Sequence, residues 1–470
     1  MRSRILGLTW PILVSMGSNA MTLSVLLINV LNFSGILFPG MSYQSIEIGV
    51  LLSSGVWASA FSTLVFGILA DRLSRCALFS IMMAGLGAGC IANAFVPADQ
   101  GMVTFSLFVA CNILRGAFSG GIWPVIASFT NDALQKDERS KFFALLNIVL
   151  LVLPLLGMVT SALLVEAGLW KLLFAILGIP QIACAVLDSI WLAEPKRGLQ
   201  EAELHDALAN SDKDYAFKLT RETLRSTVFS STNVYAILEG VFTAVVMGIT
   251  DLLIIPYMQA PPHNISSLVT SIVMIVFATP GVFIGSIGFA GISDRFGKRH
   301  VKYRIYLLVL AIVGIMIVVN LVVFMPLARL DITQGNDIVL LFSLPVMWAV
   351  GLLIVGSRIL AGLYNINQPV ILQEINLPES QGLISSINNF TAGLGSGAGP
   401  VLAGLLLTAF NQGFQAVALI CIPIGCTGAV FWLLATRHVD RNLQTLSDVL
   451  KQRAQALEGD EHGAYPETEP

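Results

Sequence analysis

The sequence predicts an all-α integral membrane protein with twelve transmembrane helices in two pseudo-symmetric six-helix bundles. Three observations carry that expectation. Apolar residues make up 55% of the 470 positions and charged residues only 12%, against roughly a quarter charged in soluble domains; mean hydropathy is +0.79. The apolar residues gather in runs of about 20 or more, the length that crosses a bilayer core. Charged features and prolines also recur at similar offsets in the two halves.

The runs lie near 9–33, 46–70, 76–97, 102–129, 142–165, 169–193, 234–258, 267–292, 303–326, 339–369, 380–409 and 413–436. The first follows Met-Arg-Ser-Arg, is too long for a signal-peptide core and lacks a small-residue cleavage site, so it reads as a helix. Asn19, Asn29 and Asn32 are polar breaks within it. The second run ends in GILADRLSR, from Gly67 to Arg75, and the third contains AGLGAGCIANA, whose small residues permit close helix packing. Arg115 stands in the fourth run within LRGAFSGG, Pro154 in the fifth and Asp188 in the sixth. The seventh carries Glu239 and Asp251, the eighth ends in GISDRFGKR, the tenth holds Arg358 and the eleventh contains GSGAGPVLAG.

Orientation follows from the bases, because Lys and Arg accumulate in cytoplasmic loops. With both termini inside, 22 of the 26 fall in cytoplasmic segments. Lys171 and Arg329 lie in outer loops, and Arg115 and Arg358 within spans. An integral, multi-pass protein of the plasma (inner) membrane with both termini cytoplasmic is therefore expected. Residues 1–193 form an N-terminal bundle, 194–233 a polar linker, 234–437 a C-terminal bundle and 438–470 a charged, mobile tail. LQEAELHDALA in the linker suits a short amphipathic helix on the membrane face.

The halves match internally. Asp71 to Asp294 is an offset of 223, Arg115 to Arg358 of 243, Asn147 to Asn389 of 242 and Pro154 to Pro400 of 246. The jump of 20 places an insertion between the first two pairs, in the outer loop around ARLDITQGND.

GILADRLSR resembles the signature loop between helices 2 and 3 of major facilitator superfamily (MFS) transporters, and GISDRFGKR stands where its second copy belongs. With twelve spans, a central linker and a midspan Arg in the fourth helix, the resemblance covers essentially the whole chain. Ser74 replaces the usual Gly of the first loop, whereas Gly297 supplies it in the second. GSGAGPVLAG is similar to the Gly-Pro bend of the antiporter motif, while the fifth helix retains only Pro154 and Gly157. WLAEPKRG weakly resembles spinster-like lipid carriers.

The resemblance implies a conformational latch of Gly67, Asp71, Arg72, Arg75 and Asp132 with Asp294, Arg295, Gly297, Lys298 and Glu374. Asp71 is expected to meet the start of the eleventh helix near Ser380, and Asp294 that of the fifth near Ser140, because a carboxylate stabilises a helix N-terminus by about 0.3–1 kcal/mol when exposed. Arg72 or Arg75 would pair with Asp132 or Glu138, and Arg295 or Lys298 with Glu374 or Glu379. Topology-setting charge alone would explain the bases but not the repeated Asp.

An Arg at the bilayer centre costs about 3 kcal/mol even on insertion scales, so Arg115 and Arg358 must face a cavity or a partner. On helices that line the central cavity in this superfamily, two guanidinium groups could clamp a carboxylate or phosphate; the alternative is that each is structural within its own half. Asn19, Trp123 and Tyr364 are further substrate-binding candidates, with Trp57, Phe118, Asn365 and Gln368 beside them. Asp251 and Glu239 are the candidates for carrying a coupling proton, and a facilitator without ions fits the same residues. Asp188 reads as structural.

The expected function is secondary active or facilitative transport of a small organic solute, anionic in character, by alternating access. The alternatives are an efflux antiporter for amphipathic or lipid-like compounds and a non-transporting membrane sensor. No nucleotide loop, HExxH pair or GxSxG nucleophile marks an enzyme. The six cysteines form no CxxC or Cys/His spacing, so neither a metal nor a disulfide role is expected of them, and no cofactor is expected. A formal charge of −3 gives no reason for nucleic-acid binding. The expected partners are the solute, protons as candidate co-substrate and the bilayer, with the chain as a monomer.

Overall fold

The computed structural model describes residues 2–134, 136–194, 229–377 and 380–459. Twelve helices are long and apolar enough to cross a membrane: α1 Thr9–Ile28, α2 Ser45–Ala70, α3 Arg75–Ala94, α4 Met102–Thr130, α5 Leu145–Glu166 and α6 Trp170–Trp191 in the first half. The second half has α7 Ser231–Gln259, α8 Ser267–Gly297, α9 Val301–Phe324, α10 Pro345–Glu374, α11 Leu383–Ala409 and α12 Phe414–Val449. Long apolar helices satisfy their own backbone hydrogen bonds, which a bilayer core requires.

The two halves pack by one scheme. In the first, α1 lies against α5 and α6, α2 against α4, and α3 against α4 and α6. In the second, α7 lies against α11 and α12, α8 against α10, and α9 against α10 and α12. Shifting each number by six converts one set into the other. Across the halves, α2 packs on α11, α5 on α8 and α1 on α7.

Local departures from straight helices fall at polar or small residues. The first helix stops at Ala20, turns over the next four residues and resumes as Val25–Ile28 and Val30–Leu37. Asn29 sits at that last joint and donates its amide to Val25 O (3.0 Å) and to Ser161 Oγ of α5 (3.1 Å). Gly157 of α5 approaches the Met21 carbonyl at the break, where a Cβ would stand only 2.0 Å from the oxygen. The Gly120-Gly121 pair divides α4, and any Cβ at Gly116 or Gly120 would strike the α2 backbone at Gly55 or Ser59. Two π-turns flank Pro280 in α8.

The face on which α1 begins and α12 leaves the bundle is called here the terminal face, and the opposite one the far face. On the far face, the insertion between α9 and α10 forms two short helices, Ile332–Gly335 and Ile338–Ser343, the first opened by a capping box between Asp331 and Gln334. It folds back on the α7–α8 loop through Ser266 N to Gly335 O and Leu330 N to Pro262 O.

One segment differs from the sequence reading. Residues 438–459, expected as a loose tail, continue the last helix, which runs Phe414–Gly459. Val439 is fully buried and Leu446 nearly so, four residues before and three residues after a contact made by Leu443, so the apolar face persists beneath the charges. Asp440 pairs with Lys302 and His300, and Asn442 donates to Thr232 Oγ1 (2.5 Å), tying the extension to α9 and α7. The amphipathic segment of the linker and the final DEHGAYPETEP lie outside the described residues.

Candidate functional site

The far side between the halves is closed. Ser45 Oγ donates to Gly404 O at 3.0 Å, Asn32 to Ser267 Oγ at 3.0 Å, Gln259 to Ile28 O at 2.8 Å, and the Leu268 N–H to Glu166 at 2.9 Å. Glycines let the backbones meet: a Cβ at Gly49 would lie 2.3 Å from Pro400 O, and one at Gly404 2.3 Å from Ser45 O. Deeper in, the Trp57 indole donates to Leu394 O (3.1 Å) and packs over Gly397. Outside this seal is a polar cleft of about 680 Å³ whose lining includes Asn32, Asp99, Glu166 and Asn336.

Inside it lies a cavity of about 550 Å³ between α1, α2, α4, α7 and α11, extending toward the terminal face as far as Thr63, Ser119 and Asn389. Its polar lining includes Asn19, Thr22, Ser59, Asn112 and Ser396, and its apolar wall Leu23, Leu26, Leu27, Leu52, Val56 and Met247. Arg115 and Asp251 are its two charged residues, one from each half.

Arg115 enters on α4, thirteen residues past Met102. Its stem packs against Gly89 of α3, where a Cβ would come within 2.7 Å of Cγ. Nη2 donates to Thr22 Oγ1 at 2.7 Å, and Nε is buried with no hydrogen-bond partner among the described residues. The Thr22 hydroxyl donates in turn to Asn19 O at 2.7 Å, so the break in α1 orients the guanidinium.

Arg358 sits at the matching depth, thirteen residues past Pro345, but outside the lining of this cavity. Its Nη2 lies 3.4 Å from Asp251 Oδ1, in a void of about 20 Å³ that adjoins the cavity through Asp251 and Met247. The expected clamp of two arginines is therefore not assembled. The carboxylate of Asp251 stands between Arg358 and the cavity, and opposite charge at that depth is the strongest attraction Arg358 has.

Of the other candidates, Asn19 lines the cavity, whereas Trp123 and Tyr364 do not. Trp123 follows the glycine break in α4 and is half-exposed. Tyr364 is buried within the second half, where its hydroxyl donates to Glu239 Oε2 at 3.2 Å. Glu239 is fully buried and also accepts from Thr243 Oγ1 at 2.6 Å. Asp188 lies buried in the first half and accepts from Ser15 Oγ at 2.7 Å.

The described loop residues on the terminal face pair within their own halves. Arg75 is buried and bonds Glu194 just beyond α6 (2.9 Å) and Ser128 O (2.9 Å); the expected partners Asp132 and Glu138 have side chains outside those described. Asp294 pairs with Arg304 of α9 in its own half (3.1 Å); the start of the fifth helix near Ser140, its expected partner, has side chains outside those described. Arg304, and neither Arg295 nor Lys298, reaches Glu374, at 3.6 Å; those two bases are exposed. Gly297 makes room for the Arg304 guanidinium, since a Cβ there would stand 2.1 Å from Nε. Arg72 is exposed, and Gly67 has open space where a side chain would be. The side chains of Asp71, Asp132, Glu138 and Ser140, and the whole of Glu379, lie outside those described.

Sequence reasoning did not single out Thr22, Glu194 or Arg304. Arg304 carried a signal: a base in the first turn of an apolar span, ten residues after Asp294. Glu194 carried one too, as the first acid beyond the sixth span.

Residues 7–335 match the sequence profile of the Major Facilitator Superfamily. None of the curated proteins compared matches the chain. Among solved structures, a bacterial homologue of the human lysosomal transporter Spinster, inward-facing and unoccupied, superposes with a TM-score of 0.67 at 15% identity, covering 94% of this chain and 98% of its own. The nucleoside transporter NupG gives 0.63 at 14% identity, with 92% and 98% covered. A D-xylose-proton symporter gives 0.63 at 14%, with 91% and 96% covered.

Proposed function

Since the chain belongs to the Major Facilitator Superfamily, and so is a membrane transporter working by alternating access, we propose that its cargo is a small organic anion with an apolar body. The observation that carries this reading is Arg115. It is the cavity's cation without an acidic partner among the described residues, and its Nη2 reaches the Thr22 hydroxyl at the cavity wall. A guanidinium lining a cavity favours a carboxylate or phosphate that can accept more than one of its N–H groups. The leucine wall formed by α1 and α2 suits a non-polar body, which connects this reading with amphipathic cargo.

The distribution of bases puts the terminal face in the cytoplasm, so this conformation, sealed at the far face, has its cavity on the cytoplasmic side. Asp251 and Glu239 are the carboxyls through which a proton could be coupled. The loops at Asp71 and Asp294 serve as the latch that closes the terminal face in the opposite conformation. The Arg75–Glu194 and Arg304–Asp294–Glu374 contacts hold each loop within its own half while that face is open.

Uptake into proteoliposomes tests the reading. Radiolabelled monocarboxylates, sugars and amines are each offered with and without an imposed pH gradient. Saturable accumulation or exchange of a carboxylate, abolished by Arg115→Gln, is expected. Transport of a neutral sugar or an amine in preference to every carboxylate would overturn the anionic assignment.

A further inference from the structure

We infer that Asp251 sets the charge of the cargo: by holding Arg358 away from the cavity it leaves a single guanidinium for the substrate, so the site selects monoanions over dianions. This rests on the reading of the cavity as an anion site and narrows it. The two arginines stand at the same depth in matching helices, yet only Arg115 lines the 550 Å³ cavity. Arg358 is spent on Asp251 at 3.4 Å in the adjoining void. Asp251 is itself part of the cavity wall, so a second negative group on a ligand would meet a carboxylate there and no free cation. Like charges facing each other across a cavity repel. Removing the carboxylate alone reverses the situation, since Arg358 loses its partner beside the cavity and a second anionic group can take that place.

The test uses two pairs of probes matched in carbon framework, hexanoate with adipate and benzoate with phthalate. Binding to the purified full-length protein is measured by calorimetry near neutral pH. Wild type is expected to prefer the monoanion of each pair by about tenfold or more, the cost of one unmade charge-assisted interaction. Asp251→Asn is expected to invert the preference, and the double variant Asp251→Asn with Arg358→Gln to return it to monoanions. Should Asp251→Asn not fold, Asp251→Ser repeats the comparison. Arg358→Gln alone, which leaves Asp251 uncompensated in the wall, is expected to weaken both members of each pair. An unchanged monoanion-to-dianion ratio in a folded Asp251 variant overturns the inference, as does a wild-type preference for dianions. If Arg115→Gln still abolishes binding in those cases, the anion site stands and only the role of Asp251 is lost. Absence of binding by all four probes to wild type overturns both.

Discussion

The guanidinium of Arg75 and the carboxylate of Glu194 lie 2.9 Å apart, joining the first residue of α3 to the chain just beyond α6. Arg75 is almost completely buried and Glu194 about one-third exposed. The same carboxylate accepts from Ser74 Oγ at 2.7 Å and from the Cys76 N–H at 3.0 Å, so it also caps the N-terminus of α3. The charged loop that closes GILADRLSR is thereby tied to the start of the linker.

That arrangement has a pH signature. Partial burial pushes the Glu194 carboxyl up, but the Cys76 N–H, the Arg75 guanidinium and the Ser74 hydroxyl together outweigh it and hold the group at about 2. Because this is below the unfolded value of about 4.3, the stabilisation is complete above that pH and is lost as pH falls toward 2. Glu194→Gln is expected to cost about 1–2 kcal/mol at neutral pH, moderated by the exposed part of the carboxylate. Melting curves of both proteins from pH 7 to pH 3 should show a constant gap down to about pH 5 and a narrowing gap below about 4.3. A gap that stays constant to pH 3 would mean that the charge of Glu194 is not what holds Arg75.

The far-side seal depends on backbone contact between α2 and α11. A Cβ at Gly404 would lie 2.3 Å from Ser45 O and 2.8 Å from Ile46 Cα, neither of which is a flexible side-chain end. Gly404→Leu should therefore wedge these helices apart, at a cost of about 1–3 kcal/mol to the closed arrangement. Spin labels on cysteines replacing the exposed Met41 and Asn411, in a cysteine-free background, should report a population at longer distance. Gly356→Ala, whose Cβ enters open space, should leave the distances as in the parent. Identical distributions for the leucine variant and the parent would show that close α2–α11 contact does not hold the far face shut.

The spans were legible because an uninterrupted run of apolar residues long enough to cross a bilayer has few other folds available. The repeat was legible because Asp71 and Asp294, and Arg115 and Arg358, keep their depth in matching helices. Depth along a helix is one coordinate, however, and pairing needs the azimuth as well. Arg358 and Arg115 are equivalent in depth, but which neighbour each faces depends on packing that glycines such as Gly89 and Gly281 create on adjacent helices. Arg304 was readable as a topology-setting base, while its contacts join Asp294, ten residues before it, to Glu374, seventy residues after it. The extension of α12 was obscured by Arg437, Asp440 and Arg441, although Val439, Leu443 and Leu446 keep the helical stripe.

The unequal placement of the two midspan arginines gives the last prediction. Had both faced the cavity, Arg115→Lys and Arg358→Lys would weaken anion binding alike, because an ammonium cannot reproduce the planar fork of donors. Arg115 alone of the two lines the cavity and has no acidic partner among the described residues, so Arg115→Lys is expected to weaken hexanoate and benzoate by about tenfold or more. Its stability should change little, since the bond lost in the empty protein is the single one to Thr22. Arg358 meets Asp251 through one contact at 3.4 Å, which an ammonium can supply as a point charge, so Arg358→Lys should bind both probes within about threefold of wild type. Affinity and melting temperature measured together on both purified variants decide the matter. Equal losses of affinity would restore the symmetric clamp. Wild-type affinity in Arg115→Lys with a lowered melting temperature would make Arg115 a structural residue and leave the cavity without its anion-binding group.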